Sequence, residues 1–214
     1  MTYSFTITNI KSSVKLKPSI EFDFVAQRCH ELGASCKRFR NLLSIHYKKK
    51  SFVLFKGCKR VPNSGQHLNI TGCRSTNKTL QAIEDFNRLI GRPTGSVNYR
   101  IDNYSCTSQI DHRIDLESFY MSNSNLRVVY NRENFPGLFL WSPKKSSLCA
   151  VIYHTEKVNI VGSNNIEEIE EFLKWVKQVT VISSSVRNAT KRRLELANEN
   201  HLKKKCAKVK LCLD

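Results

Sequence analysis

Apolar and polar residues alternate along several short segments of the chain, whereas other segments carry apolar residues at helical spacing. Strict alternation predicts a half-buried strand, and apolar residues recurring every three to four positions predict an amphipathic helix. The first half of the chain fits a strand, a helix, three further strands and a second helix. In chain order these predicted elements are Tyr3–Ile10, Ile20–Leu32, Asn41–Tyr47, Ser51–Lys56, His67–Gly72 and Asn77–Ile90.

Turn-forming and helix-ending residues separate these elements. Thr76 or Asn77 is the expected cap of the second helix, and Gly91-Arg92-Pro93 is its expected stop. The second half of the chain follows the same plan of strand, short helix, three strands and helix. Its predicted elements are Asn98–Cys106, Leu116–Met121, Leu138–Trp141, Ser147–His154, Lys157–Gly162 and Ile166–Gln178.

The two halves share landmarks in the same order, first between Ile7 and Ile90 and again between Ile101 and Val176. Two copies at so long a period indicate a duplicated half-domain rather than a solenoid. The matching segments are Ile7-Thr8-Asn9 with Ile101-Asp102-Asn103, Phe52-Val53-Leu54-Phe55 with Ala150-Val151-Ile152-Tyr153, and Asn69-Ile70-Thr71-Gly72 with Asn159-Ile160-Val161-Gly162.

Two such repeats predict an α+β fold with one curved antiparallel sheet and helices covering one of its faces. The other face stays open, and we expect function to lie there. We place the first repeat at residues 1–95, the second at residues 96–182 and a basic C-terminal tail at residues 183–214. The tail lacks a sustained apolar face, so disorder or a solvated helix is expected for it.

Charge is distributed unevenly over these parts. The chain has a formal net charge of +17. Residues 1–100 carry 18 Lys and Arg against 5 acids, residues 101–182 carry 8 against 10, and residues 183–214 carry 9 against 3. Such an excess predicts a polyanionic partner that is contacted mainly by the first repeat and the tail.

The eight cysteines follow no disulfide framework and no C-x-x-C spacing, which favours reduced structural thiols in an intracellular protein. A zinc site built from Cys58, Cys73, His67 and a fourth ligand is the less favoured alternative, so we expect no metal and no cofactor. The first residues are polar and uncharged, and no apolar stretch approaches the ~20 residues that cross a bilayer.

The segments Lys37-Arg38-Phe39 and Phe135-Pro136-Gly137-Leu138, together with the two Asn-Ile-x-Gly units, resemble the saddle-shaped core domain of the TATA-box-binding protein family. The resemblance runs from residue 3 to about residue 180 in both halves, at low overall identity. It implies a saddle whose concave sheet lies on the minor groove of double-stranded DNA. The Lys-, Asn-, Ser- and Ile-rich composition would suit an AT-rich viral or protist genome.

In that family two pairs of phenylalanines insert between base pairs at the ends of the site. The matching residues are Phe39 with Phe55 and Phe135 with Tyr153. The tyrosine hydroxyl prefers a hydrogen bond, so its insertion could be shallower. An isolated aromatic residue at a strand end is more often part of the core, but four at equivalent places in two repeats favour the wedge interpretation.

The resemblance also implies contacts on the floor of the groove. Asn9 and Asn103 match the family's paired central asparagines, whose amides suit the acceptors that all minor-groove edges present. Lys11, Asn69 and Asn159 replace small apolar residues of the family, so the sequence preference should be relaxed or changed. The remaining candidates for groove contact are Val53, Thr71, Val151 and Val161.

Phosphate contacts and partner contacts complete the implied site. The expected backbone contacts are Lys37, Arg38, Arg40, Lys48, Lys56, Lys59, Lys144, Lys145 and Lys157. In the family the second stirrup, matched here by Glu133, Asn134, Pro136 and Gly137, is where transcription factor IIB docks, and the opposite stirrup is where factor IIA docks. The insertion Cys58–Gln66 has no counterpart in the family.

These features predict a general transcription initiation factor that bends promoter DNA, recruits IIB-like and IIA-like factors and RNA polymerase, and works in the nucleus, or in a cytoplasmic viral factory or virion. One alternative is a saddle that acts through protein contacts, and another is a nonspecific nucleic-acid-binding module without TATA recognition. An enzyme is not expected, since the sequence has no catalytic motif and no room for a catalytic domain.

Overall fold

The computed structural model describes residues 4–57, 65–92 and 98–181. Within those ranges the chain forms an α+β fold with one antiparallel sheet and four helices, as the hydrophobic pattern predicts. The sheet has ten strands, two more than the pattern predicts. The first repeat contributes β1 Thr6–Leu16, α1 Phe22–Glu31, β2 Ser35–Arg38, β3 Leu42–Tyr47, β4 Lys50–Phe55, β5 Gln66–Cys73 and α2 Thr76–Leu89. The second contributes β6 Tyr99–Gln109, α3 Leu116–Ser122, β7 Val128–Val129, β8 Gly137–Trp141, β9 Cys149–Tyr153, β10 Lys157–Ser163 and α4 at residues 166–181.

The strand order is itself twofold symmetric. It runs β2-β3-β4-β5-β1-β6-β10-β9-β8-β7, so β1 and β6 lie at the centre and the order of one half mirrors that of the other. Ile10 of β1 faces Tyr104 of β6. The pairing register makes these two residues the equivalent positions of the two repeats, and it places the pseudo-twofold axis between them.

All four helices bury their apolar residues against the same face of the sheet. Inward residues of the strands, including Ile10, Leu54 and Ile152, are fully buried in one continuous core. Phe86 of α2 packs on Phe52 of β4 with ring centroids 5.4 Å apart. Because side chains alternate along a strand, the residues between these inward positions point to the opposite side of the sheet.

The predicted and observed elements differ most clearly at four places. β1 runs on to Leu16 instead of ending near Ile10, and the short edge strands β2 and β7 were not predicted as strands. The cap of α2 is Ser75, whose hydroxyl accepts a hydrogen bond from the Lys78 amide, and not Thr76 or Asn77. A serine with extended backbone just before the first turn is a favoured cap.

Some predictions concern residues outside the described ranges. They include Lys59, most of the insertion at Cys58–Gln66 and the whole tail at residues 183–214. No helix in the described part of the chain is long and apolar enough to span a membrane.

Ser12 of β1 generates a stability prediction. Its side chain is fully buried, and its hydroxyl has no hydrogen-bond partner among the described residues. A buried hydroxyl without a partner costs free energy, so Ser12→Ala should raise the free energy of unfolding by about 1 kcal/mol in a urea titration.

Ser108 of β6 is the matched control. It is also buried, but its hydroxyl donates to the Ser4 carbonyl at 2.8 Å, so Ser108→Ala should lower the free energy of unfolding. Equal destabilisation by both substitutions would contradict the unsatisfied state of Ser12.

Candidate nucleic-acid interface

The face of the sheet opposite the helices, here called the open face, presents partly exposed side chains from strands of both repeats. No described helix packs on it. Its residues in the first half include Lys11, Ser13, Lys15, Ser44, Ser51, Val53, Phe55, Asn69 and Thr71. Its residues in the second half include Asn103, Ser105, Thr107, Phe139, Trp141, Val151, Tyr153, Asn159 and Val161.

Asn9 and Asn103 occupy equivalent positions beside the pseudo-twofold axis. The Oδ1 of Asn9 accepts a hydrogen bond from the Gly72 amide at 2.7 Å, and the Oδ1 of Asn103 accepts one from the Gly162 amide, also at 2.7 Å. This fixes the orientation of both side-chain amides. Within the described ranges neither Nδ2 group donates to another residue, so each remains available as a donor.

The two glycines are needed for this arrangement. Gly72 and Gly162 have positive φ angles of +91° and +103°, which side chains other than glycine rarely adopt. A Cβ on Gly162 would lie 1.8 Å from the Ser147 carbonyl oxygen. The repeated Asn-Ile-x-Gly unit therefore ends in glycine, whose backbone amide donates at a positive φ to the central asparagine on the adjacent strand of the same repeat.

The aromatic pair of the first half lies at the β2–β3 hairpin. The Phe39 amide donates to the Leu42 carbonyl at 2.9 Å, and Leu42 faces Phe55 of β4. Phe39, Leu42 and Phe55 thus form one cross-strand row. The Phe39 ring is 46% exposed and carries the Lys37 ammonium 5.4 Å from its centroid.

The aromatic pair of the second half is held more tightly. Gly137 faces Tyr153 across β8 and β9. A Cβ on Gly137 would come within 2.8 Å of the Phe135 ring and 3.1 Å of the Tyr153 ring, so glycine is what lets both rings lie over this point. The two ring centroids are 6.1 Å apart, and Phe135 is 38% exposed.

An aromatic run extends from this pair along β8, and the sequence did not reveal it. Phe139 lies 5.2 Å from Phe135 and stacks on Trp141 at 6.0 Å, between ring centroids. The Arg127 guanidinium covers Trp141 at 4.7 Å from the ring centroid. Leu138–Trp141 is apolar throughout, so alternation could not show which of its residues face the core.

The predicted groove-floor residues fall into two equivalent cross-strand rows. In the first half Ser44 faces Val53, which faces Asn69. In the second half Phe139 faces Val151, which faces Asn159. Thr71, Val161 and Lys11 also lie on the open face. All the predicted groove-floor residues are therefore brought onto one surface, and their contact with DNA stays a prediction.

Four of the predicted phosphate contacts are engaged by carboxylates instead of standing free. Lys48 pairs with the buried Asp85 of α2 at 2.9 Å, and this hydrogen bond raises the pKa of the lysine. Lys145 pairs with Glu168 of α4 at 2.6 Å, which lowers the pKa of that carboxyl. The other two pairs are Lys144 with Glu171 and Arg38 with Asp23. These bonds draw the four cations towards the helices.

The remaining predicted phosphate contacts within the described residues are exposed: Lys37, Arg40, Lys56 and Lys157. Lys15 joins them on the open face and was missed, because β1 was predicted to end at Ile10. In the predicted partner loop Glu133, Asn134 and Pro136 are exposed, whereas Gly137 is buried at the start of β8. The Asn131 side chain accepts hydrogen bonds from the amides of Glu133 and Asn134.

The described thiols behave as core residues. Burial raises the pKa of Cys106 to about 11, and burial together with the neighbouring Cys36 raises that of Cys29 to about 12. Cys73 is fully buried while His67 is exposed on the same strand, so the structure does not bring these two candidate zinc ligands together. Cys58 lies outside the described ranges, and the described residues contain no group of three metal-binding side chains.

Comparisons with known proteins show which proteins this chain resembles. A sequence model of the family described as transcription factor TFIID, or TATA-binding protein (TBP), matches residues 98–179. TATA-box-binding protein C of Halobacterium salinarum is 22% identical over 120 residues, which cover 54% of this chain and 65% of that protein. The solved structure of Methanococcus jannaschii TBP superposes with a TM-score of 0.67 at 20% identity, over 82% of this chain and 97% of that chain.

The fold is therefore the two-repeat saddle that the sequence predicted. The sequence of the second repeat matches the TBP family model, and the fold as a whole resembles TBP at low sequence identity. Its match spans just under two thirds of the length of the curated relative. The matched family is one of transcription factors and not of enzymes, which agrees with the expectation that the chain is not an enzyme.

Gly162 allows a test of how this site is built. Gly162→Ala should lower the free energy of unfolding by about 3 kcal/mol or more, because the new methyl group would meet a backbone carbonyl at a positive φ. Gly91→Ala is the control, since Gly91 also has a positive φ of +66° but has nothing within 4 Å of the added Cβ. Similar destabilisation by both substitutions in thermal or urea unfolding would show that the close approach of Ser147 is not a constraint.

Proposed function

We propose that the protein is a transcription factor that binds double-stranded DNA through the open face. The open face lies in the minor groove, and the two aromatic pairs insert between base pairs and bend the duplex. Side chains that enter the minor groove as apolar wedges unstack base steps and kink the helix, which lets a curved protein surface contact more DNA. The resemblance to TBP supports this function, and the arrangement of the site supports the mechanism.

The observation that carries the proposal is the placement of the aromatic pairs. Phe39 and Phe55 lie in one row at β2–β4, while Phe135 and Tyr153 lie together at β8–β9. Those positions are at opposite ends of a sheet whose halves are related by a twofold axis. Phe39 and Phe135 are exposed aromatic side chains, so each pair has a ring free to leave water when DNA binds.

The two oriented amides of Asn9 and Asn103 support contact with base edges at the centre of the site. With each Oδ1 bound to a glycine amide, the group left over is a donor. A donor suits the minor groove, because adenine N3 and thymine O2 are both acceptors. A free Nδ2 donor can therefore contact both A·T and T·A pairs.

The charge on the open face supports attraction to phosphates. Lys11, Lys15 and Lys37 are exposed on its first half, and Lys157 is exposed on its second half. We propose that these lysines, with Arg40 and Lys56 at its margin, contact the backbone. Such contacts release counterions and make binding depend steeply on salt, without carrying sequence information.

Partners and location follow from the same proposal. A TBP-like factor acts with initiation factors and RNA polymerase, so we propose that the exposed loop at Glu133, Asn134 and Pro136 contacts a IIB-like factor. The site of action is the nucleus, or a viral factory or virion if the source is a virus. Two alternatives are nonspecific binding of nucleic acid and binding of proteins alone. The next experiment distinguishes both from the proposed function.

The test of the mechanism is energy transfer between dyes at the two ends of a short duplex. The wild-type protein should bring the ends of an A·T-rich duplex closer together than those of a random duplex. Replacing either aromatic pair, Phe39→Ala with Phe55→Ala or Phe135→Ala with Tyr153→Ala, should reduce the bend and weaken binding about tenfold or more, since stacking on one base contributes about 1–3 kcal/mol.

Phe24→Ala is the matched control for these variants. Phe24 is also 46% exposed, but it lies on α1, on the helix side of the sheet. It should change neither bend nor affinity. Unchanged bending by both pair variants would refute insertion, and salt-dependent binding without any bend would support the nonspecific alternative.

The lysines of the open face allow a second test. Lys11→Gln combined with Lys15→Gln should lower the slope of log affinity against log salt by about 2, because each lysine–phosphate pair adds about 0.9 to that slope. Lys48→Gln combined with Lys144→Gln removes the same charge from lysines paired with helix carboxylates. This second variant should leave the slope unchanged; equal effects would place both sets of lysines on DNA.

A further inference from the structure

The open face is symmetric in its backbone but not in its chemistry. Two cross-strand rows occur once in each half, and the pairing registers show which residues correspond. One row has Ser44, Val53 and Asn69 in the first half and Phe139, Val151 and Asn159 in the second. The other row has His46, Ser51 and Thr71 in the first half and Trp141, Cys149 and Val161 in the second.

The second half of the open face is more apolar than the first half in these two rows. Four of the six positions in these rows change from polar to apolar: Ser44 to Phe139, His46 to Trp141, Ser51 to Cys149 and Thr71 to Val161. The apolar side chains are not all hidden, since Val161 is 37% exposed. No hydrogen bond joins the hydroxyls of Ser44, Ser51 or Thr71 to another residue within the described ranges.

This difference matters because A·T and G·C pairs differ in the minor groove by one group. Both present acceptors, and G·C adds the 2-amino donor of guanine. A hydroxyl can donate to an acceptor or accept from that amino group, so Ser and Thr serve both kinds of pair. Apolar side chains leave the amino group buried without a partner, which costs free energy.

We propose that the two halves of the open face accept different base pairs, the second half only A·T and the first half either A·T or G·C. The inference rests on the proposed minor-groove binding and adds to it an asymmetric target. Thr71 and Val161 are the residues that differ while keeping nearly the same shape, so they are the specificity-determining pair that can be exchanged with least disturbance. A duplex with one G·C-containing half therefore fixes the direction in which the saddle binds.

The test uses a palindromic A·T core, in which the protein binds equally in either direction. G·C pairs are introduced into one half or into both halves, and affinities are measured by fluorescence anisotropy. With G·C in one half the protein can place that half under its first repeat, so only one of two orientations is excluded and affinity should fall about twofold. With G·C in both halves the second repeat must always meet G·C, and affinity should fall about tenfold or more.

Two identical halves would give a different result. In either orientation one half of the protein would then face the G·C-containing half of the duplex. The factor by which affinity falls with G·C in both halves would therefore equal the square of the factor with G·C in one half. That outcome would overturn the inference. A two-sided loss far larger than the square of the one-sided loss would support it.

Reciprocal variants assign the effect to the named residues. Val161→Thr should reduce the two-sided loss of affinity, and Thr71→Val should raise the one-sided loss well above twofold. Both exchanges are nearly isosteric, and unfolding curves will show whether each variant remains folded. Folded variants that leave both losses unchanged would overturn the assignment to this pair.

Failure of the proposed function would look different from failure of this inference. If A·T-rich and G·C-rich duplexes bind equally and neither bends, the minor-groove proposal itself fails. If the A·T core binds best and bends but its two halves behave alike, only the asymmetric target fails.

Discussion

The structure depends on the antiparallel pairing of β1 with β6, which joins the two repeats into one sheet. Ile10 and Tyr104 face each other on the pseudo-twofold axis, and the pairs Asn9–Ser105 and Lys11–Asn103 flank it symmetrically. The same two strands bring each central asparagine to the glycine amide near the end of β5 or β10. The register of this one strand pair therefore sets the sheet order, the position of both amides and the separation of the two aromatic pairs.

The two halves share this backbone arrangement, but their side chains on the open face differ in chemistry. The first half of the open face carries lysines and hydroxyls, whereas the second half carries the run from Phe135 through Phe139 to Trp141, covered by Arg127. A backbone shared by both halves with side chains that differ suits an asymmetric ligand such as a directional stretch of DNA. Several cations lie outside this surface because carboxylates of α2 and α4 hold them on the helix side.

Alternation and internal repetition predicted the α+β class, the four helices and eight of the ten strands, because these patterns are visible in the sequence itself. β1 was predicted too short because Ser12, a polar residue, occupies an inward position and interrupts the pattern. The aromatic run was missed because Leu138–Trp141 has no polar residue to mark its outward side. Two ion pairs, Lys48 with Asp85 and Lys145 with Glu168, were missed for a different reason. In each pair the two residues are distant in sequence and meet only in the folded protein.

The central claim is that the open face reads the minor groove, and base analogues test it most directly. An inosine–cytosine pair lacks the 2-amino group of guanine, so its minor groove presents the same acceptors as A·T while its major groove resembles G·C. Replacing every A·T pair of the best-bound duplex by inosine–cytosine should leave affinity within about twofold, whereas replacement by G·C should lower it about tenfold or more. Equal losses of affinity with both replacements would mean that the protein reads the major groove, and would contradict the account.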